Sequence, residues 1–292
     1  MRTATDTEHD YPLSCARNVT IGAIGADGGP NCNPATTPKT CEPLWSSSPL
    51  AVSVLSTPAV ANDILYVGAD GGNLFAFDAL GATGCNAQHV CLPLWRAPTG
   101  GPVKSSPSVA NGRVFVGSQD GKLYAFDAAG NTGCVAGRQR ICSPLWTATT
   151  ANFVDSSPAV VNGVVYVGSD AGGSTAARLN AYDAAGSTNC CGTPRTCQPL
   201  WTSDALGIFG ETPVSVANGV IYIEIATGIF SFVGSVHAFD ASTPAAHCSG
   251  VPKVCTALWS VTPAGGDALG SAPAVADQFL YVGGMTLHAF AR

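Results

Sequence analysis

The apolar stretches of this chain are short, rich in valine, tyrosine and phenylalanine, and cut by dipeptides that favour tight turns. Between residues 105 and 130 the chain reads SSPSVANG, then VFVGSQDGKLYAFDAAG. Asn111-Gly112 and Asp120-Gly121 supply the positive φ that hairpin turns need, so the runs flanking them predict antiparallel strands. Pro107 has no N–H to give to a ladder, which suits the start of an edge-like strand. The same cues recur as ILYVGADGGNLFAFDALG at 64–81, VVYVGSDAGGSTAARLNAYDAAG at 164–186, VIYIEIATGIFSFVGSVHAFDA at 220–241 and FLYVGGMTLHAFAR at 279–292. A second signature completes the unit: CEPLW at 41–45, CLPLW at 91–95, CSPLW at 142–146, CQPLW at 197–201 and CTALW at 255–259, so all five tryptophans share one repeat position. We letter the strands A (Ser/Thr-Pro), B (Tyr-Val-Gly), C (Phe-Asp) and D (Leu-Trp). Four strands recurring about every 50 residues predict an all-β fold, a β-propeller of four-stranded antiparallel blades.

The chain ends just after a C strand, and its first D strand, at Trp45, precedes the first A strand. The two ends therefore complement one another, and the expectation is five blades closed by an N-terminal strand, with no blade edge left open. Residues 41–292 are read as one propeller domain of five repeats. Residues 1–40 form an N-terminal extension with one candidate strand, NVTIGAIGADG at 18–28, which has the pattern of a decayed C strand.

The run Asp-Gly-x-Leu-Tyr-Ala-Phe-Asp-Ala, followed by a glycine and Leu-Trp, resembles the pyrroloquinoline-quinone-like (PQQ-like) β-propeller repeat over roughly residues 40–292. That family includes quinoprotein dehydrogenases and non-catalytic periplasmic or cell-surface propellers. The resemblance implies that Trp45, Trp95, Trp146, Trp201 and Trp259 each dock against the neighbouring blade. It also offers a quinone held with Ca²⁺ as a cofactor alternative. The chain departs from the family in blade number and in a cysteine-bracketed insertion between strands C and D.

Charged residues make up 11% of the chain, with 13 Lys+Arg against 19 Asp+Glu and a net charge of −6, so the basic stripe that nucleic acid requires is missing. No apolar run is long enough to span a bilayer as a helix. The cysteines change the picture more. Cys32/Cys41, Cys85/Cys91, Cys134/Cys142 and Cys248/Cys255 bracket the C-to-D connections, and Cys197 does so with Cys190 or Cys191, predicting local disulfides. Zinc would need pairs converging on one point, whereas these sit one per blade. Cys15 is left for the odd member of Cys190 and Cys191. Disulfides place the protein outside the cell, in a periplasm or at a cell surface. Residues 1–14 lack the apolar core of a signal peptide, which suggests a mature or excised segment.

Catalytic residues are not nominated. Asp78, Asp127, Asp183 and Asp240 share one repeat position suited to accepting turn amides, and the five histidines show no metal-ligand spacing. What differs between blades is more informative. Leu55, Lys104, Asp155, Glu211 and Leu269 precede the A strands and should ring one mouth of the central channel. Phe209 and Phe230, with Ile208, Ile229 and Phe232, form apolar segments expected on the same face, either as an exposed patch or as a satellite core. Lys104, Asp155, Glu211, Phe209 and Phe230 are thus the candidate ligand-binding residues. The function expected is a monomeric, secreted or cell-surface binding scaffold for a protein or small ligand. A quinone-dependent dehydrogenase is the alternative, and a carbohydrate-binding propeller the second.

Overall fold

The computed structural model describes residues 3–5, 21–24, 32–33, 40–137, 139–150, 152–170, 177–207, 213–227, 233–242, 247–263, 271–284 and 286–291. Every named element among them is a β-strand. The first complete blade runs A to D as Ala59–Ala61, Ile64–Ala69, Asn73–Asp78 and Trp95–Pro98, each antiparallel to the one before. The next two repeat it: Ser108–Ala110, Arg113–Ser118, Lys122–Asp127 and Trp146–Thr149, then Ala159–Val161, Val164–Ser169, Arg178–Asp183 and Trp201–Ser203. The following blade comprises Ser215–Ala217, Val220–Thr227, Val233–Asp240 and Trp259–Val261. The all-β propeller expected from the repeat is what the chain forms.

The cysteine insertion is an integral part of these sheets. Within the C-to-D connections it folds into a two-stranded hairpin, and in the four connections after the first that hairpin docks on the preceding D strand, beginning with Val90–Cys91 on Trp45–Ser47. Arg140–Cys142 pairs in parallel with Trp95–Pro98, Thr196–Cys197 with Trp146–Thr149, and Val254–Cys255 with Trp201–Ser203, so three of the sheets are six-stranded. The D strand would otherwise be a bare edge, and the hairpin covers it. Disulfides Cys85–Cys91, Cys134–Cys142, Cys190–Cys197 and Cys248–Cys255 close these hairpins. Cys41 is disulfide-bonded as well, and its register partner is Cys32. The bridge expected from Cys191 to Cys15 is corrected: Cys191 is free and exposed, because Cys190 is the one whose strand register sets it opposite Cys197, and Cys15 lies outside the described residues.

The expected closure by an N-terminal strand is corrected. Trp45–Ser47 pairs antiparallel with Gly22–Ile24, which pairs in turn with Thr3–Thr5. The final sheet, Ala274–Ala276, Phe279–Gly283 and Leu287–Ala291, has three strands among the described residues. Two strands and the Cys32–Asn33/Thr40–Cys41 hairpin therefore occupy the extension where one was expected. The physical reason is local connection. Gly22–Ile24 reaches Trp45–Ser47 through the same C-hairpin-D path that every other unit uses, and a short loop closes at smaller entropic cost than one spanning the chain.

The core lies in the seams between blades. One cluster joins Tyr66, Leu74, Ala76 and Trp95 to Val114, Val116, Tyr124 and Phe126 of the next blade. Three docked tryptophans donate their indole N–H across a seam: Trp45 to the carbonyl of Ala79, Trp95 to Ala128 and Trp146 to Ala184. Gly186, at φ 65°, follows that last carbonyl, and an added Cβ would overlap the Trp146 indole. Four tryptophans are 1–2% exposed, but Trp259 is 36% exposed, contrary to the expectation that all five pack alike. Among the described residues its D strand receives neither a hairpin nor a following turn.

Nearest the axis, the Ser/Thr-Pro motif ties the A strands together. The Thr57 N–H donates to Ser106 Oγ, and the Ser106 N–H to Ser157 Oγ. In the blades with glycine at the matching strand B position, the preceding serine bridges to it: Gly68 donates to Ser56 Oγ, Gly117 to Ser105, Gly168 to Ser156 and Gly283 to Ser271.

Candidate functional site

The D-to-A links and the turns after strand B are stitched together at one end of the propeller. Asp70 N donates to the Ser53 carbonyl, Gln119 N to Pro102, Asp170 N to Phe153, and Val103 and Val154 donate across the seam to Ala69 and Ser118. These bonds repeat in successive blades and hold the links that carry Lys104 and Asp155 beside the turns after strand B.

Asp155 is buried at 7% exposure, and its Oδ2 accepts the Gln119 side-chain amide at 2.9 Å. Its Oδ1 is buried and has no hydrogen-bond partner among the described residues, as is the case for Oδ1 of Asp70. Asp70 lies close enough to Lys104 and Asp155 to feel both charges. Burial raises its carboxyl above the ordinary range, the Lys104 ammonium opposes that, and the Asp155 carboxylate adds to it. The link residue Asp155 is thus bonded to the turn residue Gln119 of the blade before, and the charges of Lys104 and Asp155 both act on the turn residue Asp70. Leu55 and Phe153, 54% and 45% exposed, are the apolar members of the same links.

Asp70 and Gln119 were missed from the sequence, Asp70 because a turn role for an aspartate before glycine already explained it. The missing signal was variation: the position reads Asp70, Gln119 and Asp170 in successive blades. Glu211, Phe209 and Phe230 lie outside the described residues.

Glu224 was also undervalued. It occupies the strand B position held by Gly68, Gly117, Gly168 and Gly283 in the other blades. A Cβ on Gly68 or Gly117 would overlap Val103 or Val154 of the next blade, so the position lies against a seam. The side chain of Glu224 is 1% exposed, and its register partner Val236 packs with Leu280 and Val282. Burial pushes its carboxyl up to about 8, against a lowering hydrogen bond from the Ser271 backbone.

The repeated aspartates serve turns. Asp183 accepts the N–H groups of Ala185, Ser187 and Thr188 at 2.9, 3.0 and 2.7 Å. Burial alone would raise its carboxyl, but these bonds and the Ser187 hydroxyl outweigh it and draw the value down to about 2. Asp78 and Asp127 accept in the same way.

The described residues supply no cluster of side chains of the kind that would hold a quinone with Ca²⁺. Among the described residues no three His, Cys, Asp or Glu side chains come together as metal ligands, whereas Ca²⁺ takes six to eight oxygens. Cys190 is bonded to Cys197 and not to its neighbour Cys191, so the adjacent cysteines form no vicinal disulfide.

Residues 35–133 match the family model described as outer membrane protein assembly factor BamB. No curated protein matches the chain in sequence. Among solved structures, BamB from Moraxella catarrhalis superposes with a TM-score of 0.61 at 17% identity, over 94% of this chain and 68% of that one. A chain of the mitotic checkpoint complex gives 0.61 at 12% identity, over 94% and 69%. The europium-containing methanol dehydrogenase gives 0.52 at 16%, over 80% of this chain and half, 50%, of that one. At such identities the shared property is the fold.

Proposed function

Taking the chain as a propeller of PQQ-like repeats, we propose that it is a binding scaffold for another protein, working in an oxidising compartment outside the cytoplasm. The contact face is the mouth formed by the D-to-A links and the turns after strand B. One observation carries this reading. The repeated residues are committed to the ring, as seam tryptophans, turn aspartates and axial serines, while Leu55, Asp70, Lys104, Gln119, Phe153 and Asp155 vary between blades and meet at one end. A position that serves the ring in every blade is constrained by packing, and only positions released from that duty are free to fit a partner. The matching family model supports the choice of a protein as the ligand, since its name describes a factor acting in the assembly of other proteins. Disulfides in successive blades support the compartment.

Site-specific photo-crosslinking tests the face. A crosslinker at Phe153 or Leu55 should trap one and the same protein in the native envelope, and one at Val135, exposed on an outer hairpin, should not. Equal trapping from both places would reject the mouth as the contact face.

A further inference from the structure

The mouth is polar in an unbalanced way. The Lys104 charge acts on Asp70, and Gln119 holds one oxygen of Asp155, yet among the described residues Oδ1 of Asp155 and Oδ1 of Asp70 are buried acceptors without a donor. Asp155 is more than nine-tenths buried, so leaving one of its oxygens unmatched costs free energy that a ligand bringing a donor would recover. Among the described residues the charges that act on Asp70 are one ammonium, Lys104, and one further carboxylate, Asp155.

We propose that this mouth takes one cationic N–H donor group, a primary ammonium or a guanidinium, with Asp155 Oδ1 and Asp70 Oδ1 as its acceptors. A divalent metal is the poorer fit. No set of three metal-ligating side chains converges among the described residues, and the Lys104 ammonium would stand beside it. An ammonium or guanidinium needs only acceptors, which are what the site offers. Phe153 and Leu55, about half exposed on the adjoining links, provide apolar surface for the alkyl stem that carries such a group. A ring face within reach of a cation adds a further attraction. The inference rests on the scaffold reading and deepens it, naming a lysine or arginine side chain of the partner as what enters the mouth. A free small amine has the same chemistry.

Titration calorimetry with n-butylammonium, and with the peptide acetyl-Gly-Gly-Lys-Gly-Gly-amide, separates the two sources. We expect binding that weakens as salt is raised. Asp155→Asn keeps the acceptor for Gln119 and should lower affinity about tenfold, which corresponds to about 1.4 kcal/mol. Lys104→Met removes a competing cation and should raise affinity a few-fold, a change that a merely structural role for this cluster would not produce. Binding of the peptide alone assigns the site to a partner side chain, and equal binding of both probes assigns it to small amines. The proposal is overturned if neither probe binds at millimolar concentration, or if binding is the same in wild type, Asp155→Asn and Lys104→Met. A protein partner that crosslinks at Phe153 but whose affinity is unchanged by Asp155→Asn would leave the scaffold reading standing and remove this one.

Discussion

At the scale of single residues, the same type of side chain has different duties according to whether its position repeats. Asp183 recurs and serves a turn, whereas Asp155 does not recur and sits at the mouth. The tryptophans show the reverse: an identical motif in two environments. Trp146→Ala should cost roughly 3–5 kcal/mol, the usual range for a large buried aromatic. Trp259→Ala, starting from 36% exposure, should cost less than half as much, and urea titration of the two variants checks the contrast. Glu224 provides a pH signature. Its folded value near 8 stands above its ordinary value of 4.5. Between those values the unfolded chain has released the proton that the folded chain retains, so the folded state binds more protons and stability falls as pH rises. The contribution is complete below about 4.5, declines through the window and levels off above about 8. Thermal melts from pH 5 to 9 should show a decline that Glu224→Gln flattens, and an equal slope in both proteins would refute the buried acid.

At the scale of elements, the docked cysteine hairpin is the least expected feature. Pairing of cysteines within it was legible, since each pair brackets one connection, but docking on the preceding blade was not. A parallel pairing of two residues, such as Thr147 with Thr196 and Ala148 with Cys197, leaves no hydrophobic period long enough to read. Replacing Cys134 and Cys142 together by serine opens an 8-residue separation. The loop-entropy model assigns that bridge about 2.5 kcal/mol. A larger loss in denaturant titration is expected, because Cys142 is buried in the seam with Trp95, and a loss well below 2 kcal/mol would show that the hairpin docks without the bridge.

At the scale of the whole molecule, cohesion comes from seams, so the blades with a neighbour on both sides should be the most protected. Amides of Arg113–Ser118 and Lys122–Asp127 should exchange slowly, and those of Phe279–Gly283 and Leu287–Ala291 much faster, because Phe279 and Leu287 are 45% and 75% exposed and the last strand pairs on one side only among the described residues. Uniform protection in hydrogen exchange would contradict this. The repeat, its strands and turns and the bracketing of each C-to-D connection by cysteines were determined by the sequence alone, because each is a short pattern written several times over, whereas the choice of Cys190 over Cys191 as partner of Cys197 was not. Only the tertiary structure decided the strand that Trp45 joins, the docking of each hairpin, the pairing of Asp155 with Gln119 and the burial of Glu224. Each of these is a choice among partners far apart in the chain, and such a choice is made by the closing of seams between blades, where no local preference of the backbone distinguishes one partner from another.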